Sequence, residues 1–153
     1  MKKISAIILA IAILFSFGAC VKEEKTNYDA EAVADALNSG LSFGEALEKS
    51  TADAAYSIYG IDPALCTNAA IYVGSGATAD EVAVFNCVDP DAAKTVLEAV
   101  KSRVEYLKEG YSSYGPDQVP KIDSAAIVTL DNNVILCICD NPENVNGIIL
   151  SVK

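Results

Sequence analysis

The chain has 153 residues, 52% of them apolar, with 11 basic and 21 acidic residues, no histidine and a formal net charge of −10. Such a field repels nucleic acid and anionic head groups, so neither is expected as a partner. The lack of histidine excludes a Ser-His-Asp triad, a Cys-His pair and any His-ligated zinc.

Met1-Lys2-Lys3 is a short basic start, followed by an apolar run of 14 residues, Ile4 to Phe17, interrupted only by Ser5 and Ser16. Small residues, Gly18-Ala19, then precede Cys20. This order is that of a secretory signal, and a cysteine directly after the small residues resembles a bacterial lipobox. Residues 1–19 are therefore expected to be a lipoprotein signal peptide and Cys20 the lipidated residue. The run is too short for a retained spanning helix, which needs about 20 residues. A diacylated cysteine supplies the two chains that stable anchoring takes. The expected location is the outer face of the cytoplasmic membrane. Loss of Lys2 and Lys3 with the leader leaves 9 basic and 21 acidic residues, a net charge of −12, so the lipid and not electrostatics must hold the chain to the membrane.

Residues 20–27, polar after Cys20, read as a tether, and 28–153 as a single domain of ordinary size. Ala32, Val33, Ala36 and Leu37 have helical spacing, and Gly40 suits the end of that helix. Ser42-Phe43-Gly44-Glu45 has the form of a capping box, so a second helix is expected from there to Tyr59-Gly60, with Ile61 folding back on it. Ala69–Gly74 and Val82–Val88 are strand-like, joined by a loop over Gly74–Asp80. Asp89-Pro90 opens a third helix with Ala93, Val96, Leu97, Val100, Val104 and Leu107 on one stripe, expected to stop at Gly110. Tyr111–Asp123 reads as a polar loop. Ala125–Leu130 and Val134–Asp140 form a second hairpin around Asp131-Asn132-Asn133, and Asn141-Pro142 opens a short last helix. Val82–Asp91 aligns without gaps on Val134–Glu143, a ββα unit used twice, either by duplication or because any strand-to-helix turn favours Asp/Asn-Pro. The expectation is an α+β fold: two N-terminal helices, then two ββα units forming one four-stranded antiparallel sheet with helices packed on one face.

The lipobox leader, Tyr59-Gly60-Ile61, the run Gly76-Ala77-Thr78-Ala79-Asp80-Glu81-Val82-Ala83-Val84-Phe85, Arg103 and Tyr114-Gly115-Pro116 together resemble the domain-of-unknown-function family numbered four-three-five-eight. Those are small lipoproteins of Gram-positive, largely anaerobic bacteria. The resemblance implies surface anchoring and brings no catalytic residues with it.

Candidate chemistry is sparse. Cys66, Cys87, Cys137 and Cys139 match no zinc or disulfide scaffold and read chiefly as small buried hydrophobes. A bridge from Cys87 to Cys137 or Cys139 is the first alternative, and a metal or redox site the second. Gly74-Ser75-Gly76 lacks the Lys-Ser/Thr of a P-loop, and neither a cofactor nor a metal is expected. Glu81, entering a strand, and Arg103, on the helix that should cover the sheet, are expected to form a structural pair or to bind a ligand carboxylate. Tyr59 and Tyr114 are candidates for surface recognition, because amphipathic rings populate such surfaces. Two functions compete: a non-enzymatic envelope module binding a protein, peptide or small solute, and a small hydrolase working through carboxylates. A shallow, tyrosine-bearing surface favours the first; a pocket lined by two buried carboxylates favours the second.

Overall fold

The computed structural model describes residues 28–152. The leader, Cys20 and the tether lie outside the described residues. In chain order the elements are α1 (Ala30–Gly40), β1 (Glu48–Ser50), α2 (Ala52–Tyr59), β2 (Cys66–Val73), β3 (Glu81–Cys87), α3 (Pro90–Tyr114), α4 (Val119–Asp123), β4 (Ala126–Leu130), β5 (Asn133–Ile138) and α5 (Val145–Ser151). The fold mixes helices with one antiparallel sheet, whose strand order is β1-β2-β3-β5-β4.

Several expectations need correction. The sheet has five strands, not four. Glu48-Lys49-Ser50 pairs with Val73-Tyr72-Ile71 as an edge strand. Nothing apolar marks this tripeptide; it is a strand because β2 supplies its hydrogen-bond partners, and charged residues suit an exposed edge.

Secondly, the segment after α1 is not helical. Glu45 does not close a capping box. Its carboxylate turns to the β2–β3 loop, accepting from the Ser75 hydroxyl (2.6 Å) and from the Thr78 hydroxyl and amide (2.9 and 3.2 Å). The backbone of this segment is held by partners distant in sequence: Asp140 N donates to Ser42 O, and Ser42 N to Asn141 Oδ1. Helix α2 starts later, with Thr51 as its N-cap accepting from Ala54 N. It ends on Gly60 at φ 64°, where Ile61 N bonds back to Tyr56 O as the sequence suggests.

Thirdly, helices cover both faces. Strand β3 shows the division, because alternate side chains point to opposite sides. Val82 and Val84 join Val33, Leu37, Ile135, Val145 and Ile149 in a core beneath α1 and α5. Ala83, Phe85 and Cys87 join Tyr59, Val96, Val100, Ile122 and Leu136 beneath α2, α3 and α4. The gapless alignment of the two halves fails on this point. Val82 and Val134, aligned in sequence, lie in opposite cores, and α3 and α5 cover opposite faces. A one-residue offset reverses every side chain in a strand, so what the halves share is strand and Asp/Asn-Pro turn chemistry.

Helix α3 runs 25 residues, through Gly110 to Tyr114. Glycine costs a helix only about 1 kcal/mol, and buried Tyr111 holds the extra turn in place. The Tyr111–Asp123 segment is correspondingly not one loop but the end of α3, a 3-10 turn at Pro116–Gln118 and the short α4.

Candidate functional site

The most structured region outside the apolar cores lies where the β2–β3 loop meets α3 and α4. Asp80 and Glu81 are the only buried charged residues among the described residues, each 3% exposed. They are consecutive, at the entry to β3, and each has its own cation.

Glu81 continues the row of Ala83, Phe85 and Cys87 towards α3. Arg103 lies on α3 one helical turn from Val100, with Val100 in the core and Val104 packed against it. The pair meets in a fork: Arg103 Nη2 donates to Glu81 Oε2 at 2.6 Å and Nε to Oε1 at 3.2 Å. The Tyr59 hydroxyl donates to the same Oε1 at 2.5 Å. Tyr59 packs edge-on to Phe85, ring centres 5.0 Å apart, and the Arg103 guanidinium lies 5.9 and 5.8 Å from the rings of Tyr59 and Tyr106. Burial works against the Arg103 charge, but the hydrogen bonds and charge of Glu81 outweigh it and raise its pKa. Burial and the Glu81 carboxylate push the Tyr59 hydroxyl well above its ordinary range.

Asp80 faces the other way and is satisfied differently. Lys121 of α4 donates to Asp80 Oδ1 at 2.7 Å and to Asp140 Oδ1 at 2.7 Å, while Gly44 N donates to Asp80 Oδ2 at 2.8 Å. Burial opposes the Lys121 charge, and the two carboxylates overcome it, raising its pKa. One lysine thereby ties β3, α4 and the segments around Gly44 and Asp140 together.

The loop between β2 and β3 is held along its length. Besides the Glu45 contacts, Ala79 N donates to Gln118 Oε1, and the Tyr111 hydroxyl donates to the Thr78 carbonyl with the Gly76 carbonyl 3.0 Å away. Gly74 is where Glu45 comes closest: a Cβ there would lie 2.5 Å from Glu45 Oε1. A non-glycine residue would displace the carboxylate that organises the loop. Gly76 takes φ 93°, the left-handed region that glycine enters without penalty.

These elements enclose a cleft of about 280 Å³. Glu81, Arg103, Tyr111 and Tyr114 line it, with Ile58 and Val73 as apolar walls. A second, adjoining depression on the other side of Arg103 is bounded by Ile58, Tyr59, Ala99 and Tyr106. Tyr106 and Tyr114 are 68% and 67% exposed, and Ile58 is also exposed. Three exposed large hydrophobics thus flank one arginine.

The residues singled out from sequence fare unevenly. Glu81 and Arg103 meet as a buried pair. Tyr114 is exposed at the cleft. Tyr59 is not a surface ring: it is 6% exposed and serves as the third partner of Glu81. Tyr106 occupies the exposed position instead. The cysteines divide, with Cys137 and Cys139 under α1 and α5 and Cys87 under α3, so a sheet face separates Cys87 from both. Asp80, Lys121, Asp140 and Glu45 were not singled out. The one signal for Asp80 was two acids side by side before an apolar run. Among the described residues no group of three or more His, Cys, Asp or Glu is placed to hold a metal ion.

A family model described as a domain of unknown function, DUF4358, matches residues 40–139. The chain belongs to that family. The match takes in Gly44, Asp80, Glu81, Arg103 and Lys121, stops one residue short of Asp140, and leaves α5 and all of α1 but Gly40 outside. No curated protein and no solved structure matches the chain.

Proposed function

We propose that this DUF4358 chain is an exported, lipid-tethered binding module of a Gram-positive cell envelope, held by a lipid on Cys20 after removal of residues 1–19. Its recognition surface is the cleft beside Arg103, and its ligand a peptide segment of an envelope protein or a small solute. The observation that carries this reading is the grouping of exposed Ile58, Tyr106 and Tyr114 around a guanidinium whose position is already fixed. Rings with one apolar side and one polar end are enriched at interfaces, and a pre-organised arginine loses little freedom on binding.

The cleft has tyrosines, but it also has two buried carboxylates, the feature expected of a hydrolase. Their partners support binding. Glu81 accepts two hydrogen bonds from Arg103 and one from Tyr59; Asp80 accepts from Lys121 and Gly44. Carboxylate oxygens already taken up by fixed donors are not free to turn to the two sides of a scissile bond.

Two experiments test the proposal. A photo-crosslinking residue at position 114 of the full chain in intact cells should give a discrete adduct, lost in Tyr106→Ala. The same residue at position 150, exposed on α5, should give none; equal adducts at both positions would overturn the recognition surface. For the anchor, Cys20→Ser should release the chain from the membrane fraction. Full retention of that variant would sink the lipid tether and leave the cleft to stand on the crosslinking.

A further inference from the structure

Cys66 and Cys87 lie directly opposite each other on β2 and β3. A β-bulge produces this. The ladder pairs Asn68 with Asn86, and continuing it would set Thr67 against Cys87. Instead Thr67 is passed over, its hydroxyl donating to Asn86 O, and Cys66 takes the place opposite Cys87. Val88 N donates to Leu65 O at 3.0 Å, whereas Cys87 N donates away from β2, to Asn132 O. The cysteines therefore occupy a non-hydrogen-bonded pair, the closer of the two antiparallel arrangements, with α-carbons about 4.5 Å apart. That is inside the range a disulfide spans. Both side chains belong to the core side beneath α2 and α3, Cys87 within it and Cys66 packed against it.

The other two cysteines serve as an internal contrast. Cys137 lies near the end of β5 and Cys139 just beyond it, both buried beneath α1 and α5. Burial of both keeps an external disulfide from reaching either.

We propose that Cys66 and Cys87 form a reactive dithiol that undergoes exchange with disulfides in the extracytoplasmic medium, Cys66 attacking and Cys87 resolving. Cys66 is partly exposed and Cys87 buried, so an external disulfide reaches Cys66 first. The neighbouring Cys87 holds the Cys66 thiol below its ordinary value, while Cys66, and then burial, push the Cys87 thiol up. The Cys66 thiolate attacks one sulfur of the incoming disulfide; that S–S bond breaks and one thiol leaves. Cys87 then gives up its proton and attacks Cys66 Sγ, expelling the second thiol. Two cysteine thiols are oxidised, one external disulfide is reduced to two thiols, and the two protons pass to those thiols. The bond formed pins β2 to β3 at the bulge, at the opposite end of β3 from Glu81.

The test uses the full chain carrying Cys20→Ser, whose remaining cysteines are the four of the fold. The reduced native protein is treated with excess glutathione disulfide, quenched in acid and mapped by peptide mass spectrometry. The expected product is a Cys66–Cys87 bridge with Cys137 and Cys139 unmodified. Cys87→Ala should trap glutathione on Cys66. Cys66→Ala should leave Cys87 reacting at least about tenfold more slowly than Cys66 does. Circular dichroism establishes that each variant is folded, and Cys66→Ser or Cys87→Ser replaces any that is not. Retention of both thiols by the native parent, a mixed disulfide on Cys66 that Cys87 never resolves, equal rates at the two positions, or a bridge to Cys137 or Cys139 would each overturn the proposal.

Discussion

The two faces of the sheet are closed by different chemistry. Under α1 and α5 the packing is apolar: Val33, Leu37, Val82, Val84, Ile135 and Ile149 are fully buried. Its principal polar feature is Asn86, whose amide accepts from Ala30 N and donates to Tyr28 O and Asn133 Oδ1, docking the start of α1. Under α3 the row that begins with Phe85 and Ala83 ends in a buried carboxylate. The first face has little to offer a ligand, because its surface is used up in holding the helices down. The second retains a charged group at the edge of a cleft, and the fold spends its specificity there on fixing a side chain rather than on adding apolar area. Buried ions are weak contributors to stability but strongly destabilising when one partner is lost. The α3 face should therefore be brittle to single changes and tolerant of paired ones, whereas the α1 face should follow side-chain volume.

The largest expected effect comes from Arg103→Met. It strands the Glu81 carboxylate in a site where it is 3% exposed, at a cost of about 3–4 kcal/mol. The double variant Glu81→Gln, Arg103→Met should recover part of that loss in a chemical-unfolding cycle. Strict additivity would show that the two groups do not depend on each other and would remove the contrast between the faces.

Leu37→Ala on the opposite face should cost about 3 kcal/mol through lost burial and the cavity left behind, while crosslinking from position 114 persists. If that crosslinking disappears in protein that is still folded, the two faces are coupled and the division of labour is wrong.

Tyr59→Phe keeps the ring against Phe85 but removes the hydroxyl from Glu81. A loss of about 1–2 kcal/mol at neutral pH is expected. Its alkaline behaviour gives a sharper measurement. The folded state holds the Tyr59 proton above the ordinary tyrosine range, so its contribution is intact below pH about 10 and is lost as pH rises beyond it, where the unfolded chain ionises first. The parent should lose stability more steeply above pH 10 than Tyr59→Phe. Parallel pH profiles would mean that Tyr59 is not held neutral by its surroundings.

The smallest effect belongs to the surface. Lys49 bridges Asp35 at 2.7 Å and also contacts Glu31, and the Tyr72 hydroxyl donates to Asp35. Hydrogen bonds from Lys49 and Tyr72 hold the Asp35 carboxyl below its usual value, so its small contribution is present above pH about 4 and fades as pH falls. These groups are half exposed, and Asp35→Asn should cost no more than about 0.5 kcal/mol. A loss as large as that of Arg103→Met would show that exposure is no guide to which ion pairs matter here.

Strands β2, β3, β4 and β5, helix α3 with its Asp89-Pro90 start, and the meeting of Glu81 with Arg103 were legible from local pattern. Each rests on information within a few residues: alternation, helical spacing, a cap, or an acid and a base on elements that must pack together. Strand β1, the fate of Glu45, the Asp80–Lys121–Asp140 bridge and the buried place of Tyr59 were decided only by tertiary structure. In each case the deciding partner is far along the chain. Glu48–Ser50 is extended because β2 lies beside it, and Glu45 abandons a capping box because the Gly74–Thr78 loop offers three donors. Spacing and caps settle what an isolated segment prefers. The face a helix covers, the register across a bulge and the cation that meets a buried acid are settled only when the segments are brought together.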